Sequence, residues 1–578
     1  MTRLLWHGRA LHRQLTVVTV VAWIIGLAAA VSPAARVFGA QKSAVVPATG
    51  DGPAEQVAFI NERIRQGWAE YELSPSRQAS DGEWCRRLFL DVLGRIPSID
   101  ELNEFRSRRL GRKRAELVET LLTDERYTDQ YARHWTTIWT NLLIGRDGGG
   151  RRRSVTNRAG MQAYLRRSLT ENKPYDRMVY ELVSATGGNT PGMPRFNGAV
   201  NFLIGKLGDK AVQATVKTAQ IFLGLQLQCT QCHNHPFNRW DQGKFWQTNA
   251  FFRQTAALRR FEPGTRNLRF VELANQDFAG EGNPPTPDSA EIYYELRNRQ
   301  AKVAYPEFID GTAIPRSGYV SDVDRRSELA KRIVQSETMR KAIVNRMWAH
   351  FLGYGFTKPI DDMGPHNRPT HPRLLEHLGD KFRDGGFDLK QLVRWIVLSR
   401  PYALSSRTTS RNARDDPSLG EGPKFSRFYL RQMRAEALYE SLLVATEAQN
   451  TRDDDAQRET TKQTWLRQFV VAFGTDEDDA ATTFNGTIPQ SLVMLNGELI
   501  ENATNGRSGS FLHNVANGRM RWKKQIEHLF LAALARKPTR RETRMASKLL
   551  SAQKGDHATA LQDVWWVLLN SNEFILNH

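Results

Sequence analysis

The stretch "WCRRLFLDVLGRIPSIDELNEF", residues 84–105, indicates how this chain folds. Leu88, Val92 and Leu93 recur at the spacing that places apolar side chains on one face of a helix. The glycine and proline of residues 94–97 then interrupt the pattern, because neither residue type continues a helix well. The stretch therefore predicts a helix that ends in a short turn.

Helix signals continue on both sides of this turn. Ser98, followed three residues later by Glu101, is a capping-box pattern and predicts the start of the next helix. Amphipathic patterns fill residues 61–144 and return from residue 325 to the end of the sequence. No tandem repeat is visible, and the predicted fold class is mainly α.

The pattern changes after residue 252. "FEPGTRNLRFVELAN" and "AEIYYELRNRQAKVAYPEFIDG" are rich in β-type residues and turn signals, and "GEGNPPTPD" separates them. We therefore predict a small β-containing insertion or linker over residues 258–320, between helical domains at 56–257 and 324–578. A chain of 578 residues has room for two to four domains at roughly 100–200 residues each.

The first 45 residues are predicted to be a signal peptide or a membrane anchor. A basic start precedes the uncharged run "LTVVTVVAWIIGLAAAV", residues 15–31. At about 1.5 Å per residue this run spans roughly 25 Å, a little less than a bilayer core of about 30 Å. A basic flank, an apolar run and small residues together are typical of export signals. We therefore expect an exported protein, periplasmic or at the cell surface, either cleaved or tethered by residues 15–31.

The formal net charge of +19 comes from 81 basic against 62 acidic residues. Much of the excess is spread as arginine through helical patterns, which favours a solvated surface or contact with acidic polymers. The sequence has no RNA-binding motif of the RNP type and no zinc-finger spacing, so no nucleic-acid partner is expected.

The stretch "LGLQLQCTQCHNHPFNRW", residues 223–240, contains two of the three cysteines of the chain. Cys229, Cys232 and His233 fit C-x-x-C-H, the pattern of c-type haem attachment. Cysteines three residues apart share one face of a helical turn, so both sulfurs can reach the vinyl groups of one porphyrin edge. The next residue, His233, is then placed to bind the iron as the proximal ligand. A helix from about residue 210 is expected to lead into this turn and to stop near Pro236.

Two other interpretations of this turn stay open. A zinc site would add His235 as a ligand, although adjacent ligands cannot easily surround one tetrahedral ion without a remote partner. Alternatively, Cys229 and Cys232 form a local disulfide or remain buried thiols, which an exported protein could accommodate. Cys85 is predicted to be a small buried apolar residue in either case.

The sequence offers few candidates for a second function of these residues. His134, beside an aromatic helix, is a weak candidate for the distal haem ligand, and a satisfied core histidine is the simpler interpretation. A second polar concentration between residues 345 and 371 suggests a metal or acid–base cluster, against which capping turns are the simpler interpretation, with Thr370 as an N-cap. That concentration includes Asn345, Arg346, His350, Asp361, Asp362, His366 and His371.

Several long stretches together resemble a known pair of domains. "WCRRLFLDVLGRIPSIDELNEF", "ENKPYDRMVYELV" and "CTQCHNHPFNRWDQGKFWQTNAFF" resemble a planctomycete cytochrome-related domain. "NRMWAHFLGYGF", "NRPTHPRLLEHLGDKF", "GTIPQSLVMLNGELI" and "WWVLLNSNEFILNH" resemble the planctomycete domain that usually follows it. The resemblance covers the chain from about residue 56 onward, and both domains are of unknown function. It implies an exported planctomycete-type protein and favours haem, whereas the additional "NHPFNRW" favours a packed turn or a metal site.

Three functions are therefore expected as alternatives. The first is a haem c protein that exchanges electrons with a redox partner protein. The second is a cell-surface binding or scaffold protein with a structural metal or disulfide at the C-x-x-C-H-x-H turn. The third is an enzyme on extracellular polysaccharide, because the basic surface suits an anionic extracellular polymer, although no carboxylate pair can be singled out. Whether the protein is an enzyme is not decided by the sequence.

Overall fold

The computed structural model describes residues 53–146, 154–451, 454–474 and 487–578. The predicted signal peptide or anchor at residues 1–45 lies outside the described residues. Within the described ranges, no helix combines the length and the apolarity needed to cross a membrane.

The described chain is mainly helical, as the sequence predicts. In the part before the β insertion, the helices are α1 (Pro53–Glu70), α2 (Asp81–Leu93), α3 (Ile99–Ser107), α4 (Lys113–Thr123), α5 (Glu125–Ile144), α6 (Arg158–Thr170), α7 (Tyr175–Ser184), α8 (Asn201–Ile204), α9 (Gly208–Thr218) and α10 (Gln242–Asn249). After the insertion they are α11 (Arg325–Gln335), α12 (Glu337–Leu352), α13 (Pro372–Asp384), α14 (Leu389–Val397), α15 (Arg400–Ala403), α16 (Ala435–Thr446), α17 (Asp455–Phe473), α18 (Ile488–Asn496), α19 (Glu498–Thr504), α20 (Phe511–Ala516), α21 (Trp522–Leu534), α22 (Arg540–Ala552), α23 (His557–Leu569) and α24 (Asn572–Ile575).

Helix α2 lies at the centre of the structure. Every residue from Trp84 to Leu93 is buried. The helix ends at Gly94, whose φ of 73° is in the left-handed region that glycine adopts without steric cost. The capping box predicted for the next helix is present, with Ser98 and Glu101 each bonding the other's backbone. The start and the end of these two helices therefore follow directly from the local sequence.

Two hydrophobic cores meet at α2. The larger core contains Leu88 and Phe89, and its members run from residue 60 to residue 429, with Ala535 added. The smaller core is formed mainly by residues 433–575 and includes Leu90 of the same helix. Both predicted helical segments, 56–257 and 324–578, contribute to the larger core, so their side chains pack around a shared interior.

The sheets are small, and two of them lie in or beside the predicted insertion. The strands are β1 (Gly187–Gly188), β2 (Thr255–Phe261), β3 (Leu268–Asn275), β4 (Ile292–Glu295), β5 (Ala301–Ala304), β6 (Arg431–Gln432) and β7 (Leu576–Asn577). Strand β3 pairs antiparallel with both β1 and β2, and β4 pairs antiparallel with β5. Strand β6 pairs with β7, placing Arg431 opposite Asn577. This last pairing joins two segments that are far apart in the sequence.

Two local predictions are wrong. The helix that approaches the cysteines does not continue to Pro236, because α9 runs into a π-helical turn, Ala219–Leu223, that ends at Gly224. The N-cap of α13 is His371 and not Thr370, whose hydroxyl instead lies 3.0 Å from Nδ1 of that histidine. Pro372 at the first position of the helix fixes the φ angle there, so the helix can start without a side-chain cap.

Candidate functional site

Gly224 positions the segment that carries the cysteines. Its φ is 64°, and a Cβ at this position would lie 2.7 Å from Cε of Met363 and 3.2 Å from Cβ of Ala342. The backbone N–H of Met363 donates a hydrogen bond of 2.8 Å to the Gly224 carbonyl. Only glycine combines this conformation with so close an approach of another segment. The π-turn before it is a feature that often occurs at functional sites.

Cys229 lies on a short 3₁₀ turn, Gln228–Gln231, Cys232 directly follows this turn, and both cysteines are exposed. The alternative of buried thiols is therefore wrong, because both residues are exposed, whereas the local disulfide stays a prediction. The prediction for Cys85 is confirmed, since that side chain is 0% exposed in the larger core. Burial raises the pKa of its thiol, so Cys85 stays a neutral, small apolar residue.

The two histidines of the turn have different environments. Nδ1 of His233 lies 2.6 Å from the carbonyl oxygen of Asn234. His235 is 9% exposed, and its Nδ1 accepts a hydrogen bond of 3.2 Å from the Phe237 N–H. Burial lowers the pKa of His235, and the nearby His366 and His233 lower it further. His235 is thus a neutral packing residue of the turn, and His233 is the more accessible imidazole.

The predicted polar cluster of residues 345–371 is divided by the fold. His366 joins the cysteine turn, with its ring 5.2 Å from that of His235 and its Nε2 3.0 Å from a carboxylate oxygen of Asp362. Asp361 accepts hydrogen bonds from Gln220 and Gln226, in the segment that leads to the cysteines. Among the described residues, no three His, Cys, Asp or Glu side chains are grouped so that they could hold a metal ion.

His371 and His350 lie elsewhere. His371 is buried, with its ring 6.1 Å from Phe356 and 5.7 Å from Phe425, and burial lowers its pKa to about 4. His350 lines a cavity of about 300 Å³ together with His134. The two rings are 6.2 Å apart. The structure therefore brings together two histidines that are 216 positions apart in the sequence.

The cavity, which we call the His134–His350 cavity, is formed where α2, α5 and α12 meet two loops. Its wall includes Trp135, Trp139 and Arg346. The first loop follows α12, and its residues 357–360 line the cavity. The next residue of this loop, Asp361, accepts the hydrogen bonds from Gln220 and Gln226, in the segment that leads to the cysteines. No residue of 229–233 lines this cavity. The second loop precedes α16 and supplies residues 431–434.

Both histidines of the cavity are neutral. The Asp91 carbonyl oxygen lies 3.1 Å from Nε2 of His350 and also accepts a hydrogen bond from His134. Burial and, to a smaller extent, the charge of Arg434 lower the pKa of His134 to about 3. Burial also lowers the pKa of His350 well below its usual value, and the same arginine adds to that shift. Desolvation of the charged form thus outweighs the effect of the accepting carbonyl.

The Asp91 side chain ties the cavity to distant parts of the chain. Its carboxylate accepts hydrogen bonds of 2.8 Å from the Tyr402 hydroxyl and 2.7 Å from the Asn577 amide, and it forms an ion pair with Arg431. Arg431 also donates to the backbone carbonyl of His350. One carboxylate in α2 therefore holds α12, α15 and both strands of the β6–β7 pair.

Neither the role of Asp91 nor the origin of the cavity in two separate helices is predicted from the sequence. Asp91 stands in "LFLDVLG", where a carboxylate interrupts an apolar run, and an unpaired buried charge would be very costly. That position was a signal for a buried partner. The partners Tyr402, Arg431 and Asn577 could not be identified in the same way, because their positions depend on long-range packing.

Comparison with family models gives two matches. Residues 59–257 match PSCyt2, described as a protein of unknown function (DUF1549). Residues 325–550 match PSD1, described as a protein of unknown function (DUF1553). No curated protein and no solved structure matches the chain significantly.

Proposed function

The chain belongs to the proteins that join a PSCyt2 domain to a PSD1 domain, and from this premise we propose that it is an exported carrier of a covalently bound c-type haem. Cys229 and Cys232 would hold the porphyrin through thioether bonds, and His233 would bind the iron. When bound, such a haem accepts and donates single electrons. The observation that supports this proposal is that the thiols of Cys229 and Cys232 are free and exposed, next to the imidazole of His233, whose Nδ1 already contacts a backbone carbonyl.

The thiols suit covalent attachment. Thioether formation requires two reduced cysteines that a porphyrin edge and an attachment system can reach. Cys229 and Cys232 are both free and exposed, whereas the third cysteine of the chain is fully buried. The 3₁₀ turn keeps the two cysteines within one short loop, which is the spacing that C-x-x-C-H attachment uses.

The imidazole of His233 is prepared for a metal. Histidines that bind metals usually donate their second N–H to a carbonyl or carboxylate, which fixes the tautomer and raises the basicity of the other nitrogen. Nδ1 of His233 lies 2.6 Å from the Asn234 carbonyl oxygen, so Nε2 is left as the ligand atom. His235 does not offer the same arrangement, because its Nδ1 accepts from a backbone N–H.

Apolar surface lies beside the turn. The Phe237 ring is 73% exposed, and it lies 5.9 Å from the ring of His366. A flat apolar cofactor would cover this ring, which otherwise remains in water at a cost of about 25 cal/mol per Å² of apolar surface. His134 is not part of the proposal, because it lines the separate cavity with His350, and the sixth iron ligand is left unassigned.

The mass of the exported full-length protein tests the proposal. Co-expression with a haem-attachment system should add about 616 Da and give a pyridine-haemochrome band that survives denaturation. Cys229→Ser and Cys232→Ser should each abolish normal attachment, whereas Cys85→Ala should leave it intact. A colourless protein of unmodified mass, produced beside a control cytochrome that is correctly loaded, would refute haem attachment.

The alternatives have less support. Zinc at His235 remains a prediction, and its ring nitrogen nearest the backbone is already used. Action on an extracellular polysaccharide and contact with an anionic polymer also remain predictions, with the net charge of +19 as their basis. Export, a periplasmic or surface location and a redox partner protein are parts of the haem proposal and would be tested with it.

A further inference from the structure

We propose that the His134–His350 cavity binds a small organic carboxylate with a flat apolar body. The volume of about 300 Å³ is at the lower end of the range for small-molecule sites. This site is independent of the proposed haem, since none of residues 229–233 lines the cavity. The ligand class follows from the charge, the apolar wall and the unpaired donors of the cavity.

Positive charge in the cavity is not balanced. Asp91 is the carboxylate of the lining, and Tyr402, Arg431 and Asn577 engage its oxygens. Arg346 also lines the cavity, and it has no hydrogen bond or ion pair to any described part of the chain. A half-buried guanidinium without a partner favours an anion, and its planar fork matches a carboxylate in particular.

The remaining lining cations are less available. Nζ of Lys358 donates to the Pro417 carbonyl at 2.9 Å and lies over the ring of Tyr354. Arg431 is used by Asp91 and by the backbone of His350. The charge of Arg434 interacts with the Glu436 carboxylate. Arg346 is therefore the residue to which we assign recognition of the ligand charge.

Part of the cavity wall is apolar and aromatic. Trp135 and Trp139 lie one helical turn apart on α5, both are 3% exposed, and both line the cavity. Each indole N–H is buried without an acceptor in the described structure. A buried donor without a partner is destabilising, so a ligand that has acceptor oxygens as well as an apolar body would satisfy both features of this wall.

His134 and His350 further restrict the class of ligand that the cavity can bind. Because His134 and His350 are neutral, they add no positive charge, and the anion is recognised by the guanidinium. The carbonyl of Asp91 already takes an N–H from each imidazole, which holds the rings in place. A metal cation is a poor alternative, since Arg346, Lys358, Arg431 and Arg434 would repel it.

Calorimetry on the full-length protein tests this proposal with benzoate as the probe. Benzoate should bind with one-to-one stoichiometry, and neutral benzamide, which has the same ring and no charge, should bind at least tenfold more weakly. Arg346→Gln should weaken benzoate binding at least tenfold. Arg297→Gln is the matched control, since Arg297 is exposed in the turn between β4 and β5 and lies outside the cavity.

A second variant locates the site without changing charge. Ala437 lines the cavity from α16, and Ala437→Phe should fill the space and abolish benzoate binding in protein that still melts cooperatively. Absence of benzoate binding at millimolar concentration, equal binding by the Arg346→Gln variant, or equal binding of benzamide would each overturn the proposal. Inorganic phosphate that competes as well as benzoate would overturn the assignment of an apolar body.

Discussion

The cysteine turn and the His134–His350 cavity are two histidine sites built in opposite ways. The turn takes Cys229, Cys232 and His233 from five consecutive residues and presents both sulfurs to solvent. The cavity takes His134 from α5 and His350 from α12 and shields both from much of the solvent. Chemistry at the turn therefore depends on local backbone, whereas chemistry in the cavity depends on how the whole chain packs.

This difference indicates where each site should be vulnerable. The cavity shares its central carboxylate, Asp91, with the contacts that hold three distant segments, so a change there should affect stability and ligand binding together. The turn has few such contacts through its cysteines, so their loss should affect attachment alone. Stability measurements can separate the two sites before any ligand is known.

The largest expected effect is that of Asp91→Ala. The substitution leaves Arg431 buried without its partner and removes an acceptor from both Tyr402 and Asn577. Removal of one member of a buried ion pair typically costs about 3–5 kcal/mol. Urea unfolding of the full-length protein, followed by circular dichroism, should show this loss as a lower transition midpoint.

Glu62→Ala is the control for the loss of a carboxylate. Glu62 pairs with Arg65 on the exposed face of α1, at 2.8 Å, and its loss should leave the transition nearly unchanged because solvent screens such pairs. Equal midpoints for the Asp91 and Glu62 variants would show that the network around Asp91 does not hold the fold together.

The sequence predicts the individual helices and turns better than the contacts between segments that are far apart in the chain. The α2 helix, the Gly94 end and the Ser98–Glu101 box follow from neighbouring residues, and the structure contains all three. The approach to the cysteines was predicted incorrectly, because the close contact between Gly224 and Met363 ends the helix, and Met363 lies far away in the sequence.

The candidate sites divide in the same way. The C-x-x-C-H turn is visible as a motif because all its ligand atoms are local. The cavity was not visible, although His134 and Arg346 were both noted, since nothing in the sequence places α5 against α12. The pairing of β6 with β7, which brings Arg431 and Asn577 to Asp91, is equally non-local. Long-range packing decides such contacts, and periodicity alone does not report it.

A second, smaller effect concerns pH. His134 has a folded pKa of about 3, below its ordinary value of 6.5, so the unfolded chain binds a proton between these values and the folded chain does not. Acid therefore favours unfolding, and the stability that neutral His134 contributes is lost as pH falls below about 6.5. The loss approaches about 1.4 kcal/mol per pH unit, or roughly 2 kcal/mol between pH 7 and pH 5.

Urea titrations of the parent protein and of His134→Gln at pH 7, 6 and 5 isolate this contribution. The difference between the two free energies of unfolding should shrink by roughly 2 kcal/mol over this range, because the variant has no proton to take up at residue 134. His557→Gln, at an exposed position, is the matched control and should run parallel to the parent. If the free energy of unfolding of His134→Gln changed with pH in parallel with that of the parent, burial would not be keeping this imidazole neutral.

The smallest effect on stability is expected at the cysteine turn. Because Cys229 and Cys232 are exposed and free, Cys232→Ser should change the free energy of unfolding by less than about 0.5 kcal/mol. The same exposure predicts that iodoacetamide labels both residues in the folded, haem-free protein, whereas Cys85 reacts only after urea unfolding, since burial raises the pKa of its thiol. Mass spectrometry of tryptic peptides reads out each position. If Cys229 and Cys232 were protected like Cys85, the turn would be closed to a porphyrin, and the contrast between a surface site and a buried site would fail.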